Sequence, residues 1–114
     1  GFTTTDSGLK YKINKPSDGA NAKNGDKVRV HYSGKLTNGS EFDSSFKRNK
    51  PFEFIVGEGR VIKGWDEALK ILKLGENATF VIPSNLGYGA RGAGGVIPPN
   101  ATLVFEIELL EILD

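Results

Sequence analysis

Most of this chain alternates apolar with polar residues, and only one segment has the period of a helix. Alternation is the pattern of a strand with one buried face. It recurs in six short segments: 9–15, 28–32, 42–46, 52–56, 77–82 and 103–110. Asn38-Gly39 is the dipeptide most typical of a tight hairpin. The patterning therefore predicts five or six short strands.

One amphipathic helix is predicted in residues 62–74, where apolar residues recur every three or four positions. The apolar positions are Ile62, Trp65, Leu69 and Leu72. Asp66 and Glu67 near the start and Lys70 near the end suit the helix dipole. Gly75 is expected to end the helix in a left-handed conformation.

The order of these elements predicts the fold class. No strand-helix-strand spacing of a parallel sheet occurs, so the strands should pair in antiparallel fashion. The prediction is an α+β roll, in which a five- to six-stranded antiparallel sheet wraps around one short amphipathic helix.

Composition excludes several classes of chemistry. The 114 residues fit one compact domain and include no cysteine, which excludes disulfides, thiolate metal sites and thiol catalysis. His31 is the single histidine, so no metal site or acid–base pair can rest on several histidines; it is expected to be an exposed strand residue. We expect neither a metal nor another cofactor. A net charge of +1 argues against nucleic acid as a partner.

Residues 1–7 are expected to be a tail or the remnant of a linker, and residues 8–114 a single domain. No segment approaches the ~18 apolar residues of a membrane span, so we expect a soluble protein without a membrane partner. The chain does not begin with Met, which indicates processing or excision from a longer chain. The cytoplasm is the preferred location, and an exported compartment stays open.

The loop that follows residue 84 is the most unusual segment. It runs for about 18 residues without a periodic pattern, and long loops in small domains are often functional. Residues 87–92 match the dinucleotide fingerprint G-x-G-x-x-G, but the glycines and prolines that follow forbid the helix which that site requires. From the pattern alone, the aromatic residues fit either core packing or an apolar pocket.

Five motifs in register carry a resemblance to a known family. They are HYSG at 31–34, FDSS at 42–45, VIKGW at 61–65, GYG at 87–89 and VIPPNATLVF at 96–105. Together, over about residues 8–112, the chain resembles the FKBP-type peptidyl-prolyl cis-trans isomerases, the immunophilins that bind rapamycin and tacrolimus.

The resemblance implies a shallow apolar pocket with Trp65 as its floor. The substrate-binding residues that it implies are Tyr32, Phe42, Phe52, Val61, Ile62, Trp65, Ile97 and Phe105. It also implies three polar groups with a catalytic role: the Asp43 carboxylate, the Tyr88 hydroxyl and the backbone N–H of Ile62. Ala93 and Gly94 stand where members often carry His-Pro, and Leu86 replaces a frequent aromatic residue.

By this resemblance the protein would be a rotamase that binds proline-containing peptides and unfolded proteins, with macrolides such as rapamycin and tacrolimus as ligands. We expect the protein to be a monomer. Its catalysis should need no reactive side chain, because rotation about a peptide bond breaks no bond. A non-catalytic proline-binding or chaperone module that uses the same pocket is the alternative.

Overall fold

The computed structural model describes residues 1–113, which form one seven-stranded sheet in which all paired strands are antiparallel. The strands are β1 Thr3–Thr4, β2 Lys10–Lys15, β3 Lys27–Leu36, β4 Glu41–Ser44, β5 Phe52–Ile55, β6 Asn77–Ile82 and β7 Leu103–Leu113. The α-helices are α1 Ser45–Arg48 and α2 Lys63–Ile71. None of the helices in this range is both long enough and apolar enough to cross a membrane.

The sheet has the strand order β1-β2-β6-β7-β3-β4, and β5 also pairs with β3. β4 and β5 share one edge of β3: β5 pairs with its first part, Lys27–Val30, and β4 with its second part, Ser33–Lys35. At residues 31–32, between these two parts, β3 pairs with neither β4 nor β5. Helix α1 packs against β3 on this side. Strands β3, β4 and β5 meet at this edge, and each of them contributes to the site described below.

Helix α2 packs on one face of the sheet because its apolar stripe faces the core. Its residues Trp65, Ala68 and Leu69 are buried in the same cluster as the inward side chains of β3, β6 and β7. At Gly64 the helix lies so close to β6 that a Cβ atom would come within 2.7 Å of Ile82 Cγ2. The glycine therefore permits the close approach of helix and strand.

The predicted α+β class, with an antiparallel sheet and an amphipathic helix, is confirmed. Two elements differ in detail from the prediction. The sheet has a seventh strand, the two-residue β1, and it lies within residues 1–7, which were expected to be a tail or linker. Residues 45–48 form a short helix, because Ser44 caps it by accepting a hydrogen bond from the Lys47 amide at 3.3 Å. The prediction from alternation that Phe46 lies in a strand is therefore wrong, since Phe46 lies in α1.

The prediction that Gly75 ends the long helix is also wrong. The helix ends at Ile71, and the amide of Asn21 donates to the carbonyls of Ile71 at 3.0 Å and of Leu72 at 3.1 Å. A side chain distant in the sequence thus satisfies the last carbonyls, which otherwise lack partners. Gly75 does have a positive φ of 91°, but in the turn that leads into β6.

Candidate functional site

A cavity of about 310 Å³ opens between the edge of the sheet and the start of α2. Its walls are mostly aromatic and aliphatic, with an Asp and an Arg among them. The lining residues are Tyr32, Phe42, Asp43, Phe52, Arg60, Val61, Ile62, Trp65, Tyr88 and Phe105. They come from β3, β4, β5, β7, α2 and the two loops that precede α2 and β7.

Trp65 is a deeply enclosed part of the wall, with only 4% of its surface exposed. The rings of Tyr32 and Phe105 meet it edge-on, with centroids 4.8 Å and 5.3 Å away and interplanar angles of 81° and 87°. Edge-to-face contacts of this kind are attractive and fix the orientation of each ring. The contacts of these three rings with one another therefore set the shape of the apolar wall.

The Trp65 indole N–H is buried and has no hydrogen-bond partner within residues 1–113. A buried donor without a partner costs stability, and such groups in native proteins call for a functional explanation. Trp65 also lines the cavity, and departures from full hydrogen bonding in native proteins tend to occur at functional sites.

Gly34 in β3 makes room for two of the cavity's rings. A Cβ atom at this position would lie 2.6 Å from Phe105 Cε1 and 2.8 Å from Phe42 Cζ. These two rings meet edge-on across the glycine, with centroids 5.6 Å apart. The shape of this wall therefore depends on the absence of a side chain at residue 34.

A polar network borders the apolar wall. The Tyr32 hydroxyl donates to Asp43 Oδ2 at 2.5 Å, and Arg48 Nη2 donates to the Tyr32 oxygen at 2.9 Å. Arg48 Nη1 also donates to Asp43 Oδ1. Each of the three side chains thus contacts the other two, so the carboxylate of Asp43 is fixed and its charge is balanced.

This network sets the protonation of its members. Burial raises the pKa of the Asp43 carboxyl, but the hydrogen bonds from Tyr32 and Arg48 and the charge of Arg48 outweigh burial, and the pKa lies below its ordinary value of 3.8. Burial, followed by the hydrogen bond to Asp43, raises the pKa of the Tyr32 phenol above its ordinary value of 10.0. At neutral pH the pair is therefore a carboxylate and a neutral phenol donor.

Two donors at the cavity are unengaged. Within the described residues, neither the backbone N–H of Ile62 nor the Tyr88 hydroxyl donates to a protein group. Tyr88 is 41% exposed. The segment that carries Ile62 is held by Asp66, whose carboxylate accepts from the amides of Gly57 at 2.8 Å and Gly59 at 3.2 Å.

The structure brings nine of the ten residues implied by the resemblance around one cavity; the tenth, Ile97, does not line it. Ile97 is buried, and its N–H and carbonyl pair with Ala93 at 3.0 Å and 2.9 Å. Ile97 therefore helps to hold the conformation of the tip of the long loop. Gly94 at this tip has a φ of 42°, and Leu86 packs against the core.

Sequence reasoning missed Arg48 and Arg60. Arg48 follows the serine pair at 44–45, and serine is a typical residue at a helix start. A helix that begins there would have brought Arg48 back towards Asp43. Arg60 directly precedes the Val61-Ile62 pair but belongs to no motif that the resemblance rests on.

His31 is half-buried rather than a freely exposed strand residue. Its Nδ1 lies 2.8 Å from the Ser45 hydroxyl, and its ring stacks on Phe46 with centroids 4.7 Å apart. Among residues 1–113 no cluster of three or more His, Asp or Glu side chains is arranged to hold a metal ion.

Several known proteins are similar to this chain. A family described as "FKBP-type peptidyl-prolyl cis-trans isomerase" matches residues 19–110. The chain is 55% identical over 103 residues to "FK506-binding protein 1" of Dictyostelium discoideum, a match that covers 90% of this chain and 96% of that protein. The "Probable FKBP-type peptidyl-prolyl cis-trans isomerase" of Haemophilus influenzae is 51% identical over 109 residues; the match covers 96% of this chain but only 44% of that longer protein.

Among solved structures, "Crystal structure of AtFKBP13" superposes with a TM-score of 0.93 at 40% sequence identity and covers 99% of both chains. Sequence and backbone thus point to the same group of proteins over nearly the whole chain.

Proposed function

The chain belongs to the FKBP-type peptidyl-prolyl cis-trans isomerase family, and we propose that its aromatic cavity binds the X–Pro segment of peptides and unfolded chains and eases rotation about the X–Pro bond. It is an isomerase of this family, and the family implies binding of proline-containing peptides and of ligands such as tacrolimus and rapamycin.

One observation carries the proposal. The cavity has a buried indole at its base, an apolar wall, and two unengaged hydrogen-bond donors, the Ile62 N–H and the Tyr88 hydroxyl. A proline ring is apolar and lacks an N–H, so it fits a dry aromatic wall. The carbonyls that flank it need donors when they leave water, and the two free donors supply them.

The energetics explain why no reactive side chain is required. Rotation about a peptide bond crosses a barrier of ~18–20 kcal/mol because resonance gives the C–N bond double-bond character. For X–Pro the isomers differ by only about 0.5–1 kcal/mol, yet they interconvert in tens of seconds or longer. In the twisted transition state, conjugation between the carbonyl and the nitrogen is lost. An apolar cavity accommodates this less polar state better than water does, which is catalysis by differential binding.

Asp43 is the third polar group, and two roles are open to it. Its carboxylate either faces the rotating carbonyl and stabilises the altered charge distribution there, or positions the Tyr32 ring through the hydrogen bond between them. If the role is electrostatic, Asp43→Val lowers turnover more than peptide binding. If Asp43 positions Tyr32, the variant lowers both by the same factor, and Tyr32→Phe reproduces its effect.

The decisive test is an NMR exchange experiment on a short X–Pro peptide at substoichiometric protein. We expect the slow cis–trans exchange to become faster, and rapamycin to suppress the effect by occupying the cavity. If exchange stays at its uncatalysed rate while the peptide still binds, the protein is a proline-binding or chaperone module and the catalytic proposal is wrong.

Binding is measured separately through Trp65, which is the single tryptophan of the chain. Because the indole lies in the cavity wall, its fluorescence should change when rapamycin or a proline peptide binds. A flat titration at micromolar rapamycin would contradict the assignment of this cavity as the binding site.

A further inference from the structure

Arg60 is the one charged side chain of the cavity wall that the polar network does not engage. It lines the cavity, and its side chain is 58% exposed. Its ion-pair partner is Glu58, reached through Nε at 3.4 Å, and that carboxylate is itself 49% exposed. The two Nη groups of Arg60 have no partner within residues 1–113.

The other carboxylates near Arg60 are engaged by other groups, since that of Asp66 accepts from the amides of Gly57 and Gly59. The carboxylate of Asp43, the other charged group of the wall, is already bound by Arg48. The segment 57–63 carries Arg60 and Lys63 against Glu58, and the loop 83–102 carries a single charge, on Arg91. Glu58 is therefore the one acidic side chain within these two segments, and the carboxylates of Asp43 and Asp66 beside them are already engaged.

We propose that Arg60 gives the cavity a preference for acidic side chains, so that an X–Pro site with a Glu or Asp next to the proline is preferred over the same site with Gln, Asn or Lys in that position. This inference rests on the proposed function. A guanidinium has five donors in a planar fork that matches a carboxylate in bidentate geometry. With Nε directed to Glu58, the Nη edge remains available to a carboxylate of the bound peptide.

The expected size of the effect follows from the exposure of Arg60. Ion pairs between exposed groups are weak and are screened by salt. We therefore expect a preference of about two- to fivefold in kcat/KM for a Glu peptide over its Gln counterpart at low ionic strength. Glu58 competes for the same guanidinium, so its removal should enlarge the preference.

The experiment uses blocked pentapeptides in which Glu, Gln or Lys stands immediately before or immediately after the proline. Turnover is measured by NMR exchange, and binding by Trp65 fluorescence, at about 20 mM and about 500 mM NaCl. The Glu-to-Gln ratio of each protein is the quantity compared, so a general loss of activity in a variant cancels.

In the wild-type protein the ratio should exceed one at low salt for at least one of the two positions and fall towards one at high salt. Arg60→Gln should bring it to one, and Glu58→Gln should raise it. Lys63→Gln is the matched control: it removes the same charge three residues away, outside the cavity wall, and should leave the ratio within experimental error.

A ratio of one in the wild-type protein at both positions, with all peptides turned over, would overturn the proposal about Arg60 and leave the isomerase mechanism intact. An equal loss of preference in Lys63→Gln and Arg60→Gln would also overturn it, since the effect would then come from the general field. If no peptide were turned over, the catalytic proposal would fail, and the Glu-to-Gln ratio of binding constants would still decide the role of Arg60.

Discussion

The hydroxyl of Ser45 substitutes for a neighbouring strand at Tyr32. The backbone N–H of Tyr32 donates to Ser45 Oγ at 2.7 Å, and the same hydroxyl lies 3.3 Å from the Tyr32 carbonyl. Tyr32 stands between the parts of β3 that pair with β5 and with β4, so its backbone has no strand partner on this side. Ser45 is fully buried and thereby fixes the residue whose ring and hydroxyl face the cavity.

Ser45→Ala should therefore destabilise the protein. The substitution leaves a buried backbone N–H without an acceptor, and the expected loss is about 1–3 kcal/mol in the free energy of unfolding. Urea denaturation followed by Trp65 fluorescence measures it. Ser40→Ala, at an exposed turn position, is the control and should change stability by no more than about 0.5 kcal/mol. Equal stability of the two variants would contradict the role given to Ser45.

The second prediction concerns the pH dependence of stability at Asp43. Because the folded pKa of this carboxyl lies below its ordinary value of 3.8, its ionisation stabilises the fold above that value. The contribution is lost as the pH falls through the lower folded pKa. The side chain is 40% exposed, so solvent screening limits the effect to about 1 kcal/mol or less.

The measurement compares wild type with Asp43→Asn in urea at about pH 7 and at about pH 2.5, on either side of the ordinary carboxyl pKa. The difference in unfolding free energy between the two proteins should shrink at the acidic pH. A difference of the same size at both pH values would show that the ionisation of Asp43 does not contribute.

The third prediction concerns Tyr88, whose hydroxyl is free to bind a peptide carbonyl. Tyr88→Phe should weaken binding of an X–Pro peptide by about 0.5–1.5 kcal/mol, the value of a neutral hydrogen bond, which is roughly two- to tenfold in Kd. Stability should hardly change, because the residue is 41% exposed and its hydroxyl has no partner within the described residues. Tyr11→Phe removes a hydroxyl from β2, outside the cavity wall, and serves as the control. Unaltered affinity in Tyr88→Phe would remove this hydroxyl from the site.

The fourth prediction tests the glycine beneath the aromatic wall. In Gly34→Ala the new methyl group overlaps the rings of Phe42 and Phe105, so one or both rings must move. We expect a loss of about 1–3 kcal/mol in stability, typical of overpacking, together with weaker rapamycin binding. Calorimetry of unfolding and Trp65 titration check the two effects. A variant of wild-type stability and affinity would mean that the wall adapts freely.

Residue patterning predicted the elements that local sequence controls, and it failed where a distant contact decides. The helix period at Ile62 and Trp65 and the Asn38-Gly39 hairpin are local signals, and the structure has both elements. The end of α2 is different, because Asn21, some fifty positions earlier, supplies the donor that replaces a glycine cap.

The same distinction holds at the site. Periodicity could not decide whether the aromatic residues form a core or line a pocket. The family motifs indicated which of them would lie around one pocket. Ile97 belongs to such a motif but turns inward beneath the loop tip. The partnership of Asp43 with Arg48 was not predictable from alternation, since it depends on the chain turning into α1 directly after β4.

The pairing of β3 with β7 also affects how the chain folds during its synthesis. Ten residue pairs join these strands, from Lys27 with Leu113 to Leu36 with Leu103, so the middle of the sheet closes only when an early and a late part of the chain meet. Such non-local pairing slows folding. A ribosome adds about 5–20 residues per second, so the edge of β3 that pairs with β7 lacks its hydrogen-bond partners for several seconds during synthesis. A protein of this family would thus spend its own synthesis as the kind of incomplete chain that we propose it binds.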